Sequence, residues 1–189
     1  MGGLALIGDV RLRRLRGSEL DELVRARIAE AGTMAYPGEA PPAKEIRSTL
    51  VDRIAHSGEF FQGEILMGIE LGGRLAGEIQ ARRPENAMPP GVFELGIGVF
   101  DAADRGKGVG SAAVGLMTKR LFEEEGAHRV QLGTDLENAP MRRVAERLGF
   151  HLEGVMRGFM PTPDGPRDYA LYAITRADYE DGRLTTTWT

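Results

Sequence analysis

The residues best suited to chemistry in this chain stand together in Arg105-Gly106-Lys107-Gly108-Val109-Gly110-Ser111. Three glycines at alternate positions remove the side chains around successive backbone N–H groups. The apolar spacing of Ala113, Leu116, Met117 and Leu121 puts those groups at the start of a helix running to about Glu125. There, unpaired donors and the helix dipole favour an anion. Arg105 and Lys107 add positive charge at the rim, so the ligand expected is a phosphate or pyrophosphate. A G-x-x-x-x-G-K-[ST] loop does not fit, because Lys107 precedes Gly108 and no Gly-Lys-Ser/Thr occurs. A G-x-G-x-x-G loop fails at its third spacing. The spacing that fits is R-x-x-G-x-G, at Arg105, Gly108 and Gly110.

A second segment follows about thirty residues later, Asn138-Ala139-Pro140-Met141 and then Arg142 to Phe150. Proline suits a first helical turn and Gly149 a helix end, while Met141, Val144, Ala145 and Leu148 share one face. Together the two motifs resemble the GCN5-related N-acetyltransferase (GNAT) superfamily. An R-x-x-G-x-G loop holds the pyrophosphate of coenzyme A there, and an asparagine opens a short helix ending in Leu-Gly-Phe. Glu153-Gly154 and the Asp168 to Tyr172 segment are similar to the ribosomal-protein (RimJ/RimL-like) branch. The resemblance runs from about Val92 to Tyr172.

The resemblance implies an α+β fold: a mixed central sheet with splayed strands, flanked by helices. Acyl-CoA, most simply acetyl-CoA, would be the co-substrate. Its pyrophosphate would lie on Arg105, Gly106, Lys107, Gly108, Val109, Gly110 and Ser111, and its arm between main chain at Val99 and Phe100 and the side chain of Asn138, which equally suits a helix cap. An amine would attack the thioester directly. Such transfer needs the amine deprotonated, the carbonyl polarised and the leaving thiolate protonated. Glu94 is the candidate base; pairing with an arginine is the competing reading of a carboxylate in that position. The positions at which relatives carry the acid hold Ala145 and Met141, which cannot donate. Tyr169 and Tyr172 are the remaining candidates, and each also suits a plain sheet residue.

The elements that must position these groups follow from periodicity. A strand-like run from Leu4 to Arg16 carries arginines at 11, 13, 14 and 16, read as a solvated face. Ser18 and Asp21 resemble a capping box for a helix with Leu20, Leu23, Val24 and Ile28 on one side. After a loop from Gly32 to Pro42, a second helix faces inward with Ile46, Leu50, Val51 and Ile54. Strands near Phe60 to Leu71 and Arg74 to Arg82 join at Gly72-Gly73, a hairpin signal. From Val92 to Phe100 the alternation is strict, with Glu94, Gly96 and Gly98 on a nearly bare face; glycines in a strand mark a bulge or a close approach. A strand from about Arg129 to Thr134, a helix from Pro140 to Leu148, and strands near Leu152 to Phe159 and Asp168 to Thr175 complete one domain over 1–189.

Composition narrows the function further. With 189 residues, 42% hydrophobic and 28% charged, the chain is an ordinary globular domain. The formal net charge of −4 gives no basic signal for nucleic acid. The absence of cysteine excludes disulfides, thiolate metal sites and a cysteine nucleophile. His56, His128 and His151 lie in no metal-binding spacing, so no metal is expected. No apolar run approaches the roughly 20 residues that cross a bilayer. The opening residues also lack a charged n-region or a myristoylation serine or threonine, and a cytoplasmic protein is expected. Arginine outnumbers lysine, which occurs only at 44, 107 and 119, a composition typical of GC-rich bacterial genomes. The acceptor expected is an amine on a small molecule, a protein N-terminus or a lysine. The loops Gly32 to Pro42, Pro84 to Gly91 and Pro161 to Arg167 would shape its pocket. Oligomeric state is left open, homodimers through sheet edges or C-terminal strands being a recurrent form in the superfamily. The rival readings are a CoA-binding domain without turnover and an acyltransferase with a donor other than acetyl-CoA.

Overall fold

The computed structural model describes residues 9–33 and 41–185. The expected strand residues Leu4 to Gly8 and loop residues 34–40 lie outside that range. Among the described residues, eight strands form one sheet in the order β1-β3-β4-β5-β6-β8-β7, with β2 on the side of β3. β1 is Val10–Arg13, β2 Phe60–Phe61, β3 Glu64–Leu71, β4 Arg74–Arg82 and β5 Val92–Val99. β6 is Arg129–Asp135, β7 His151–Met160 and β8 Arg167–Thr175. The helices are α1 (Leu20–Thr33), α2 (Ala43–Ala55), α3 (Val109–Glu123), α4 (Ala139–Arg147) and α5 (Arg176–Glu180).

Two apolar clusters divide the core between the faces of the sheet. The larger lies under α3, which is buried along nearly its whole length, as its mostly apolar surface requires. Val10 and Leu12 enter it from β1, and Phe93 and Leu95 from β5. The smaller lies under α1 and α2 and holds Leu23, Val24, Leu50, Ile54 and Leu66. Burying each such leucine or isoleucine stabilises by roughly 1.5–3 kcal/mol. Here the expected helix stripes prove too wide. The row that faces the sheet is Ile46, Leu50 and Ile54, leaving Val51 turned to solvent. Arg27, one turn beyond Leu23, faces inward, so its neighbour Ile28 is exposed.

Local details also differ from expectation. The Ser18–Asp21 box is not used. A 3-10 turn, Gly17–Glu19, precedes α1, and the Glu19 carboxylate takes the Arg16 N–H at 2.8 Å. Glu19 also pairs with Arg13 at 2.6 Å, so Arg13 is half-buried between Glu19 and Glu70 and is not part of a solvated face. The expected Phe60 to Leu71 strand is two strands, because Gln62 and Gly63 turn the chain at φ 49° and 83°. The hairpin at Gly72-Gly73 is present, with both glycines at positive φ. After β8 the chain adds α5, opened by a capping box between Thr175 and Asp178.

The feature that positions the site is the join between β5 and β6. They run parallel, connected through α3, yet pair only at Val92↔Arg129, Phe93↔Val130 and Glu94↔Gln131. Beyond Glu94 the strands part. β5 stays paired to β4 as far as Val99, while β6 pairs with β8 as far as Asp135. Among the described residues, one edge of β5 from Leu95 to Val99 therefore has no strand beside it.

Candidate active site

The glycine loop lies at the open end of this gap. Gly106 and Gly108 adopt φ of 74° and 86°, a conformation that glycine takes without strain. A Cβ at either position would meet nothing within 4 Å. Gly108 is the N-cap of α3 and supplies no side-chain cap, so the first-turn N–H groups of the helix are left for another acceptor. Val109 and Ser111 turn their side chains into the protein, being 2% and 4% exposed, and offer the loop only main chain. Lys107 is exposed beside them. Such a loop suits an anion, and the edge of β5 beside it suits pairing with an extended arm; the residues are compatible with the pyrophosphate and arm of coenzyme A.

Two interactions brace the cradle. Arg105 donates from Nε and Nη2 to the Val99 carbonyl at 3.2 and 3.1 Å, tying the loop to the end of β5. The Phe100 N–H donates to the Ala76 carbonyl at 2.9 Å. The two main-chain positions expected to meet the arm thus already hold partners through these atoms. Asp104, 4% exposed, accepts from Arg74 Nη2 at 2.6 Å. The Arg74 hydrogen bond holds the Asp104 carboxyl below the usual carboxylate range, against the opposing effect of burial.

Across the gap opens a cleft of about 1340 Å³. Its floor is the sheet face bearing Glu94, Gly96 and Gly98, with Glu78, Gln80 and Arg82 of β4 beside them and Gly133 and Asp135 of β6 opposite. α1 and α2 form one wall, and the β7–β8 hairpin with Phe159, Met160 and Asp164 the other. The expected loops contribute unequally: Pro41 and residues 162–164 line the cleft, whereas the Pro84 to Gly91 loop does not.

The candidate catalytic residues separate clearly. Glu94 is on the floor, where β5 and β6 are still joined. Its Oε1 accepts from Arg82 at 2.8 Å and its Oε2 from Gln131 at 3.3 Å. Tyr169 lines the cleft with its ring 5.3 Å from that of Phe159. Tyr172 does not join them. It is fully buried on the opposite face of β8, where its hydroxyl donates to Glu146 at 2.9 Å and accepts from Arg142 at 3.2 Å. Alternation along β8 should have separated positions 169 and 172, since an odd spacing places side chains on opposite faces. Asn138 lines the cleft and also caps α4, its Oδ1 accepting the Met141 N–H at 3.2 Å. Ala145 is fully buried on the inner side of α4, and Met141 lines the cleft.

Residues 9–151 match the acetyltransferase (GNAT) domain family. The chain belongs to this family. A relative, "Probable N-acetyltransferase YjcK" of Bacillus subtilis (strain 168), is 36% identical over 85 residues, or 44% of this chain and 47% of that protein. The chain thus aligns with about half the length of that relative. The kanamycin resistance protein of Rhizobium radiobacter is 29% identical over 99 residues, 52% of this chain and 86% of that protein. Among solved structures, Mycobacterium smegmatis RimJ in complex with CoA-disulfide shares the GNAT fold. It has a TM-score of 0.69 and 22% identity, and the match covers 94% of this chain and 91% of RimJ.

The polar floor contributed by β4 is not among the site residues expected from the sequence. Glu78, Gln80 and Arg82 alternate with Ile79 and Ala81, and that period-two pattern was the available signal. Arg27 and Arg53, which reach the floor from α1 and α2, carried no such signal.

Proposed function

We propose that this GNAT protein is an acyl-CoA-dependent N-acyltransferase that moves an acyl group, most simply acetyl, to a primary amine. The observation that carries the reading is the uncapped N-terminus of α3 beside a strand edge without a neighbour. One ligand with a pyrophosphate and an extended amide arm uses both. The RimJ structure of the same fold, obtained with a CoA disulfide, is in keeping with it. Arg105 to Ser111 would hold the pyrophosphate, mainly through main-chain N–H groups, and Asn138 would face the arm from α4.

The acceptor would approach from the cleft, as an amine on a small molecule, a protein N-terminus or a lysine. Its nitrogen bonds to the carbonyl carbon as the carbon–sulfur bond breaks; the nitrogen gives up a proton and the sulfur gains one. Glu94 is the base we assign, acting through water, and a proton taken there displaces a bond from Arg82 or Gln131. Tyr169 is the donor we assign to the leaving sulfur. A second reading, CoA binding without turnover, draws on Ala145 and Met141, which leave the usual acid positions inert. Calorimetry with acetyl-CoA, against ATP and NAD under the same conditions, tests the cofactor. A thiol-release assay across a panel of amines then separates the two readings, since a binder releases no thiol.

A further inference from the structure

Gly96 is bare for a reason that its sequence position conceals. Gln80 stands directly opposite it on β4, and the Gln80 side chain lies across the glycine. A Cβ on Gly96 would come within 2.8 Å of Gln80 Nε2 and 3.1 Å of its Cγ. Gly98, two residues on, has nothing within 4 Å of the same position. The floor is therefore open at Gly98 and covered at Gly96 by a side-chain amide.

The orientation of that amide is set by its other neighbour. Arg53 of α2 donates from Nη2 to Gln80 Oε1 at 2.9 Å. A guanidinium has donors and no acceptor, so the atom facing it must be the amide oxygen. The NH₂ group is thereby turned toward Gly96 and the cleft. Arg53 is itself fixed by Glu64 of β3, which accepts from Nη2 at 2.8 Å and also from Nε. Arg53 and Glu64 side chains are only 18% and 16% exposed. A carboxylate thus holds a guanidinium, the guanidinium holds an amide oxygen, and a neutral donor is presented next to the place where β5 leaves β6.

We infer that Gln80 donates a hydrogen bond to the acyl carbonyl oxygen at the transfer site, with Arg53 as the residue that positions it. The inference rests on the acyl-CoA reading above. As the amine adds to the carbonyl carbon, negative charge gathers on that oxygen, and a donor already in place stabilises it without reorganising. Gln80 neither gains nor loses a proton. The charge-neutral amide also leaves the proton transfers to other groups.

The test uses acetyl-CoA and CoA as probes and needs no acceptor. Wild type should bind acetyl-CoA more tightly than CoA, and isotope-edited infrared spectra of bound acetyl-CoA should show the carbonyl stretch at lower frequency than in water-free solution. In Gln80→Leu the acetyl-CoA preference should fall about 2- to 10-fold, the worth of one hydrogen bond, with CoA affinity unchanged and the carbonyl stretch shifted upward. Gly96→Ala should have the same effect with Gln80 itself retained, because the added methyl, 2.8 Å from Nε2, displaces the flexible amide. Arg53→Met should lose much of the shift by freeing the amide to turn, and Arg53→Lys should retain it. An identical carbonyl frequency in wild type and Gln80→Leu overturns the inference while leaving the acyl-CoA reading intact. Failure of wild type to bind either probe overturns both.

Discussion

The two halves of the candidate site are built in opposite ways. The half we assign to the donor is one contiguous segment, Arg105 to Ser111, which offers backbone N–H groups at the start of α3. The acceptor half is assembled from α1, α2, β4, β5, β6 and the β7–β8 hairpin, and its chemistry comes from side chains. Side chains in the cleft are heavily paired: Arg82 with Glu94, Arg27 with Glu78, and Arg167 with Asp135 and Glu137. A contiguous cradle tolerates changes in its side chains but no filling of its space. An assembled cleft keeps its shape under most single changes and alters its selectivity.

That contrast can be broken most directly at Gly110. Its Cβ direction is open apart from Ile97 Cδ1 at 3.9 Å, so Gly110→Trp is expected to fill the cradle and abolish CoA binding in calorimetry while the fold persists by circular dichroism. Wild-type affinity in this variant would remove the loop from the site. On the acceptor side, Glu94→Gln should lower kcat about 10²- to 10⁴-fold, the range for loss of a general base, with acyl-CoA affinity little changed. A pH–rate profile that is the same in both proteins would move the base elsewhere.

Smaller effects sharpen the comparison. Asn138 belongs to both halves, as the cap of α4 and a lining residue. Asn138→Ala should cost about 1 kcal/mol in urea unfolding, with Asn138→Asp retaining the cap; full stability in the alanine variant would deny the capping role. Asp104, whose carboxyl is held low by Arg74, contributes stability that is complete above the ordinary carboxylate range. That contribution is lost only as pH falls through the depressed folded value. In Arg74→Met that contribution is already missing at neutral pH, so less acid should unfold the protein and the acid-unfolding midpoint should rise slightly; an unmoved midpoint would show that the pair adds nothing to folding.

Much of the donor half was legible in the sequence because it is local. The glycines at 106, 108 and 110, the apolar spacing of α3, and the asparagine before Pro140 each state their geometry within a few residues. Gly96 shows where local reading stops. Its bareness was visible in the alternation of β5, yet the group that approaches it is Gln80, sixteen positions earlier by sequence numbering and directly opposite in the sheet. The same holds for Tyr169 and Tyr172. Both lie in one strand, but only the packing of α4 against that face of β8 shows that the hydroxyl of Tyr172 is spent on Glu146 and Arg142.

By itself, the sequence determined the periodicities, the turns that need glycine, and an uncapped helix start suited to a phosphate, since these follow from backbone sterics and hydrogen bonding over short spans. Tertiary structure alone decided that β8 would lie between β6 and β7, that β5 would part from β6 after Glu94, and which charged side chains would meet in the cleft. Those outcomes depend on burying two apolar clusters against opposite faces of one sheet, and contacts between distant segments are written in no single stretch of the chain.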